Sequence, residues 1–94
     1  MEKTWVLYIV QCSDGTYYTG ITDDLPRRLS EHNAGKGAKY TRGRGPVLLA
    51  YCKPMGSKSA ALKEEYQTKQ LTRAQKAALC SGFCQEDASQ CNIF

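Results

Sequence analysis

Residues 4–22 read TWVLYIVQCSDGTYYTGIT, and this stretch decides the fold because a turn signal separates two strand-like runs. The first run, Thr4 to Cys12, is rich in β-branched and aromatic residues and is nearly continuously apolar, which is typical of a strand covered on both faces. Ser13-Asp14-Gly15 is the turn, and Thr16 to Thr22 is the second strand. The sequence therefore predicts a β-hairpin.

The length of the hairpin turn decides whether two tyrosines share a face. A two-residue turn would place Tyr8 and Tyr18 on opposite faces of the sheet. A three-residue loop with Gly15 in the left-handed conformation would instead pair Cys12 with Thr16 and bring both rings to one face. We favour the second turn, because glycine commonly closes such a loop.

The segment after the hairpin carries the start and stop signals of a helix. Asp23 or Asp24 is a suitable N-cap, Pro26 fits the first turn, and Gly35 ends the pattern, so we predict a helix over Leu25 to Ala34. Two polar residues, Arg28 and His32, also fall on the apolar stripe of this helix and interrupt its hydrophobic pattern.

The remaining chain predicts one more strand and two more helices. The glycine-rich, basic segment Gly35 to Gly45 is a loop, and a third strand covers Val47 to Lys53. Ser57 or Ser59 caps a second helix that runs to about Gln70, with Leu62, Tyr66, Glu65 and Lys69 expected on its inward stripe. A capping box at Thr72 to Gln75 opens a third helix that ends near Gly82.

The element order β-β-α-β-α-α predicts an α+β fold, in which helices flank a small three-stranded antiparallel sheet. We assign residues 1–82 to a single domain and residues 83–94 to a flexible tail without amphipathic pattern. A chain of 94 residues with 41% apolar content is sufficient for one modest core.

Composition also bears on the cellular compartment. No apolar run approaches the ~18 residues of a membrane span, and the N-terminal run is a poor signal peptide, so we expect a cytoplasmic protein that does not enter a membrane. The five cysteines are then expected to be reduced. A zinc site from Cys80, Cys84 and Cys91 is the alternative, but it lacks a fourth ligand.

The positive charge is concentrated in one segment. Pro26 to Arg44 holds one acid, Glu31, and six basic residues: Arg27, Arg28, Lys36, Lys39, Arg42 and Arg44. A basic segment in an otherwise nearly neutral chain is typical of a nucleic-acid-binding protein. The alternative is a solvated loop without a ligand.

Side chains suited to phosphodiester hydrolysis are predicted on three elements. Arg28 can contact a phosphate, His32 can exchange a proton near neutral pH, and Glu65 can hold Mg²⁺ with waters and phosphate oxygens. Tyr8 and Tyr18 add hydroxyl groups. Each also has a structural interpretation, since strand tyrosines and a lone histidine usually pack in the core, and Glu65 could simply pair with Lys69.

The same residues carry a family resemblance. Val6-Leu7-Tyr8, Tyr18-Thr19-Gly20, Arg28-x-x-x-His32 and the helical Glu65 resemble the GIY-YIG endonuclease domain. The likeness covers about residues 4–79 and is closer to the small, single-domain bacterial proteins of this family. The first motif lacks its glycine, and Thr19 stands where isoleucine is usual.

The resemblance implies a nuclease fold with a Mg²⁺-dependent (or Mn²⁺-dependent) phosphodiesterase site on the sheet. By this resemblance either Tyr8 or Tyr18 is the general base, Arg28 contacts the scissile phosphate, and Glu65 binds the metal. His32 and Tyr40 would line the site.

We therefore expect a metal-dependent endonuclease that acts on structured or damaged DNA in repair or recombination. The alternative is a nucleic-acid-binding module that keeps the fold with little or no turnover. DNA is the expected partner, with RNA left open, and a protein partner could supply specificity to a monomeric domain. The expected nucleic-acid contacts are Arg27, Lys36, Lys39, Tyr40, Arg42 and Arg44.

Overall fold

The computed structural model describes residues 4–34 and 47–82, which form a three-stranded antiparallel sheet and three helices. The elements are β1 (Trp5–Gln11), β2 (Tyr17–Thr22), α1 (Leu25–Asn33), β3 (Leu48–Gly56), α2 (Lys58–Lys69) and α3 (Arg73–Ser81). The strand order is β2-β1-β3, so β1 lies in the centre. The predicted fold class and element order are confirmed.

The hairpin has the three-residue turn that the sequence predicts. The Cys12 amide donates to the Thr16 carbonyl at 2.8 Å, and Gly15 has a φ of 85° in the left-handed region. Tyr8 then pairs with Gly20 across the two strands, while Val10 pairs with Tyr18. Because directly paired residues and alternate residues share a face, both tyrosine rings lie on the same side of the sheet.

The central strand is buried on both faces, as predicted. Val6, Tyr8 and Val10 point to one side, where they pack with Leu25 of α1 in the main core cluster. Leu7 points to the other side, where it lines a groove with residues of α2 and α3. The sheet is therefore a layer between helices, and α1 covers the face that carries the two tyrosines.

Local capping chemistry fixes where the helices begin. The Asp24 side chain accepts from the Arg27 amide at the start of α1, and Ser57 accepts from the Ala60 amide at the start of α2. Thr72 and Gln75 form the predicted capping box of α3. These side chains satisfy amide groups that the first turn of a helix leaves without a partner.

The predicted orientation of α2 is wrong for its two largest apolar residues. Leu62 is 47% exposed and Tyr66 is 70% exposed, whereas Ala61 and Thr68 are buried. Small side chains let the helix approach the sheet closely, so the inward stripe follows residue size rather than hydrophobicity. Glu65 belongs to this stripe because it is four residues after Ala61 and three before Thr68.

The third strand is longer than predicted and runs past Lys53 to Gly56. It contains Pro54, which cannot donate a ladder hydrogen bond. The strand tolerates this proline because it lies at the sheet edge and its pairing with β1 shifts register between Trp5 and Val6. The predicted strand, Val47 to Lys53, therefore ends three residues too early.

Two further expectations meet the structure only in part. Cys12 and Cys80 are free thiols, but Cys52 is disulfide-bonded, so the expectation of reduced cysteines is wrong for Cys52. No helix in the described ranges is long and apolar enough to cross a membrane. The basic segment 35–46 and the tail 83–94 lie outside the described residues.

Candidate active site

The Tyr8 hydroxyl is the centre of a buried hydrogen-bonded group. Its oxygen lies 3.0 Å from His32 Nε2, and Arg28 Nε donates to it at 3.4 Å. Because a guanidinium can only donate, Tyr8 accepts from Arg28. In the tautomer of His32 that carries its proton on Nδ1, the Tyr8 hydroxyl donates to Nε2, so the tyrosine links Arg28 to His32.

Helix α1 brings Arg28 and His32 to the same tyrosine. The two residues are one turn apart, so their side chains project from the same side of the helix. Buried Leu25 and the partly buried Leu29 hold that side against the sheet. The prediction that these polar residues share the apolar stripe of α1 is confirmed, and His32 is 1% exposed, as is Tyr8.

Glycine at position 20 makes room for the Tyr8 ring. A Cβ atom placed on Gly20 would lie 2.6 Å from the Tyr8 hydroxyl oxygen and 2.7 Å from the ring carbon that bears it. Any side chain at position 20 would therefore displace the hydroxyl from Arg28 and His32. The sequence analysis did not predict this role for Gly20, although the register that sets it opposite Tyr8 follows from the turn length.

Tyr18 borders the hydrogen-bonded group on its more accessible side. Its ring centroid is 6.4 Å from that of Tyr8 and 5.4 Å from that of His32, with the rings inclined to each other. Tyr18 is only half-buried, in contrast to Tyr8. The structure therefore brings together Tyr8, Tyr18, Arg28 and His32, all predicted as catalytic.

Burial sets the protonation states of the group. Desolvation raises the pKa of Tyr8 to about 12, against the opposing effect of the Arg28 hydrogen bond. Desolvation also lowers the pKa of His32, and the Arg28 charge adds to this effect while Glu31 opposes it. At neutral pH the tyrosine is consequently a phenol and the histidine is a neutral imidazole that can accept a proton.

Glu65 lies on the inward stripe of α2, and its side chain is 21% exposed. Desolvation is the main cause of the raised pKa of Tyr8, and the Glu65 charge adds a smaller effect in the same direction. The same carboxylate lies 3.7 Å from Lys69 Nζ. The structure therefore shows a partly buried carboxylate on the inward stripe of α2 and the ion pair along the helix that the sequence analysis considered.

The donor atoms present suit Mg²⁺ better than a fully protein-ligated metal. The described ranges contain no group of three or more His, Cys, Asp or Glu side chains that could hold an ion. Mg²⁺ keeps several waters and takes one or two carboxylates plus substrate phosphates, so a single Glu65 fits its usual coordination. The zinc alternative would need four protein ligands.

The predicted nucleic-acid contacts are mostly outside the described residues. Lys36, Lys39, Tyr40, Arg42 and Arg44 belong to segment 35–46. Arg27 is described, and its largely exposed guanidinium lies 3.8 Å from Asp23 and 3.6 Å from Asp24. Arg27 is separate from the buried group, because it projects from a different side of α1 than Arg28.

Asn33 is a further residue that the sequence analysis did not select. Its side-chain oxygen accepts a hydrogen bond of 2.6 Å from the Val47 amide. This bond joins the end of α1 to the chain just before β3, and Val47 is buried in the main core. Asn33 follows His32 directly, so the bond also fixes the helix end that carries the histidine.

Comparison with known proteins identifies the family of this chain. The GIY-YIG catalytic domain matches residues 4–78. This chain belongs to the GIY-YIG family. It is 62% identical over 73 residues to a UPF0213 protein of Halobacterium salinarum, covering 78% of this chain and 95% of that protein. It is 50% identical over 82 residues to a UPF0213 protein of Cronobacter sakazakii, covering 87% and 85%.

Solved structures of GIY-YIG relatives share the fold. A solution NMR structure of a UPF0213 protein from Bacillus halodurans matches with a TM-score of 0.54 and 47% identity over 83% of each chain. An NMR structure of a protein from E. faecalis matches with a TM-score of 0.58 and 42% identity over 82% of each chain. The predicted family is therefore confirmed, and the chain carries a GIY-YIG nuclease-type domain.

Proposed function

We propose that this protein is a Mg²⁺-dependent endonuclease that hydrolyses phosphodiester bonds in structured or damaged DNA. The observation that carries the proposal is the chain of hydrogen bonds from Arg28 through Tyr8 to His32. A fixed cation and a neutral proton acceptor, linked by one hydroxyl, are the groups that hydrolysis of a phosphodiester requires.

Each member of this chain has a distinct part in the reaction. Arg28 is held by Tyr8 at Nε and lies 3.6 Å from Glu31 at Nη1, so Nη2 is the terminal nitrogen that can contact the scissile phosphate as negative charge develops there. When Tyr8 accepts a proton from the attacking water, it releases its own proton to His32 Nε2. The lowered pKa of His32 keeps this nitrogen unprotonated at neutral pH. Tyr18 borders the chain on the side that substrate reaches.

Glu65 is the residue that would hold the metal. Mg²⁺ bound there would supply Lewis-acid stabilisation of the charge on the phosphate and leaving oxygen. The ion pair with Lys69 does not conflict with this role, since pairs of this kind contribute only about 0.3–0.5 kcal/mol and exchange readily. DNA contacts outside this site would come from Arg27 and the basic segment 35–46.

A second candidate function is nucleic-acid binding without turnover, and the Glu65–Lys69 ion pair is the observation that favours it. If the carboxylate only pairs with the lysine, no metal is held. Both candidate functions use Arg27 and the basic segment 35–46 to bind nucleic acid. They differ only in the role of Glu65, so Glu65 is the position to test.

The test compares Glu65→Gln with Glu64→Gln, a matched control on the adjacent position of α2. Cleavage of duplex, flap, nicked and branched DNA, with matched RNAs, is measured over a Mg²⁺ titration. We expect Glu65→Gln to lose at least ~100-fold in cleavage, equivalent to ~2.7 kcal/mol of transition-state stabilisation. Its DNA affinity should be equal or higher, and Glu64→Gln should behave like the parent.

Two further variants separate the candidates. Lys69→Gln breaks the ion pair but keeps the carboxylate, so cleavage should persist if Glu65 holds metal. Arg28→Ala should weaken both cleavage and DNA affinity because it removes the phosphate contact. A Glu65→Gln protein that cleaves as well as the parent would exclude the metal site, and a parent without divalent-dependent cleavage would favour the binding module.

A further inference from the structure

A basic cleft lies beside the hairpin turn. It has a volume of about 190 Å³ and is lined by Thr16, Tyr17, Arg73 and Lys76. Successive residues of a strand point to opposite faces, so Tyr17 lies on the face of β2 opposite to Tyr18. The cleft is thus separate from the hydrogen-bonded group, although the two tyrosines are neighbours in the chain.

The cations of the cleft have no acidic partner among the residues that the structure describes. Arg73 and Lys76 are three residues apart and project from the same side of α3. Arg73 donates from Nη2 to the Gly15 carbonyl at 3.2 Å, and within the described residues neither cation has an ion pair. Asp14 of the turn is engaged by the amide and hydroxyl of Thr16.

The segment that surrounds Arg73 and Lys76 is also positively charged. Residues 66–82 contain three basic side chains, Lys69, Arg73 and Lys76, and no acidic one. This excess is independent of the basic segment 35–46. Two neighbouring cations without an acidic partner favour a ligand that carries at least two adjacent negative charges.

Tyr17 adds an aromatic surface next to these cations. Its side chain is half-buried and makes no hydrogen bond or ring contact with any part of the described chain. A ring beside cations that follow a backbone is the usual arrangement for unpaired nucleotides, because phosphates bind the cations while a base stacks on the ring. Bases within a duplex are already stacked and would not use Tyr17.

We propose that this cleft binds an unpaired strand of the nucleic-acid substrate, with phosphates on Arg73 and Lys76 and a base on Tyr17. β2 is an edge strand, so a strand that leaves the site at Tyr18 reaches Tyr17 by passing round the free edge of the sheet. The inference rests on the proposed function in assuming a nucleic-acid substrate. It adds a preference for substrates with a single-stranded arm.

The test measures binding without divalent metal, so it does not depend on cleavage. Fluorescence anisotropy compares a blunt hairpin duplex with the same duplex carrying an overhang of about ten nucleotides, within the range that one domain covers. The main variant is Arg73→Gln with Lys76→Gln, because glutamine keeps helix propensity and a donor for the Gly15 carbonyl. Melting temperatures confirm that each variant folds.

We expect the double variant to bind the overhang substrate at least about fivefold more weakly than the parent and the blunt duplex almost unchanged. Loss of two phosphate contacts should flatten the slope of log affinity against log salt by about 1.4 for a single strand. Tyr17→Leu should also weaken overhang binding by about fivefold or more but leave the salt slope unchanged, because stacking releases no counterions.

A charge-matched control separates the cleft from general attraction. Lys58→Gln with Lys63→Gln removes two exposed cations from α2. An equal loss in both double variants, or parent-like overhang affinity in the cleft variants, would overturn the proposal. A third outcome would also overturn it: if the cleft variants bind inorganic phosphate more weakly but oligonucleotides as well as the parent, the cleft is a small-anion site.

The outcome is distinct from that of the nuclease test. If the parent cleaves DNA but the cleft variants bind overhangs normally, the cleft proposal fails and the nuclease proposal stands. If the cleft variants lose overhang binding while no protein cleaves, the binding site stands and the nuclease proposal fails.

Discussion

The two faces of the sheet are formed by the same three strands but bury different kinds of side chain. On the α1 face, the buried polar groups of Tyr8 and His32 are hydrogen-bonded to each other, and Arg28 reaches the same hydroxyl. On the other face, Leu7 lies against α2 and α3. That face also holds Thr19, whose buried hydroxyl has no partner in the described part of the structure.

Under the proposed function, this difference separates side chains that take part in the reaction from side chains that only pack. A neutral hydrogen bond contributes only about 0.5–1.5 kcal/mol net, so burying Tyr8 and His32 together gives little advantage over an apolar core. The cost of desolvation is visible in the raised pKa of Tyr8 and the lowered pKa of His32. Such departures from efficient packing are concentrated at functional sites.

Removing a tyrosine hydroxyl from each face in turn should give the largest difference in cleavage between the two faces. Tyr8→Phe leaves Arg28 and His32 without their shared partner, so we expect cleavage to fall by about 100-fold or more, the usual contribution of a positioned proton-transfer group. Tyr51→Phe is the matched control, because Tyr51 pairs with Ile9 and points to the other face. Single-turnover cleavage of one DNA substrate is measured for both variants.

Equal cleavage by the two phenylalanine variants would mean that the hydrogen-bonded group is structural. Thermal melting is measured in parallel, because loss of activity through unfolding would appear there first. A Tyr8→Phe protein that melts near the parent temperature and fails to cleave would confirm the contrast between the faces.

Much of the α1 face could be predicted from the sequence because it depends on short-range rules. The turn ending in Gly15 fixed the parity of Tyr8 and Tyr18, and helical spacing placed Arg28 and His32 together. Capping residues likewise predicted the helix starts. These features require no knowledge of how far one element lies from another.

What sequence reasoning missed depends on distances between elements. The inward stripe of α2 was assigned to Leu62 and Tyr66, but close approach to the sheet selects the small Ala61 instead. The same limit applies to Gly20, whose missing side chain matters only because the Tyr8 ring lies directly over it. Hydropathy patterns do not report how closely two surfaces approach.

A second contrast is expected in the pH dependence of stability, because His32 is the chain's one histidine. Its pKa is lowered by burial and by Arg28, while Glu31 opposes the shift and Tyr8 and Tyr18 contact the ring from the sheet. As pH falls below about 6.5, the unfolded chain binds a proton at His32 before the folded chain does. Stability linked to His32 is therefore present above that pH and is lost on acidification.

The check is chemical denaturation of the parent and of His32→Gln between pH 7.5 and 5. We expect the free energy of unfolding of the parent, relative to the variant, to decrease as pH falls through this range. A relative stability that stays constant or increases would indicate a protonated His32 paired with Glu31, and it would remove the neutral acceptor from the proposed reaction.

The smallest effect, and the sharpest comparison of the faces, comes from one substitution at two positions of β2. Thr19 and Thr22 are both buried and point to opposite faces. The Thr22 hydroxyl accepts a hydrogen bond of 3.0 Å from the Asp24 amide, whereas that of Thr19 has no partner among the described residues.

Thr19→Val should stabilise the protein by about 0.5–1 kcal/mol, because it removes an unpaired buried hydroxyl at nearly constant shape. Thr22→Val should destabilise it by a similar amount, because the amide at the start of α1 loses its acceptor. Denaturation midpoints at constant m-value give both signs, and a destabilised Thr19→Val protein would show that its hydroxyl is satisfied by bound water.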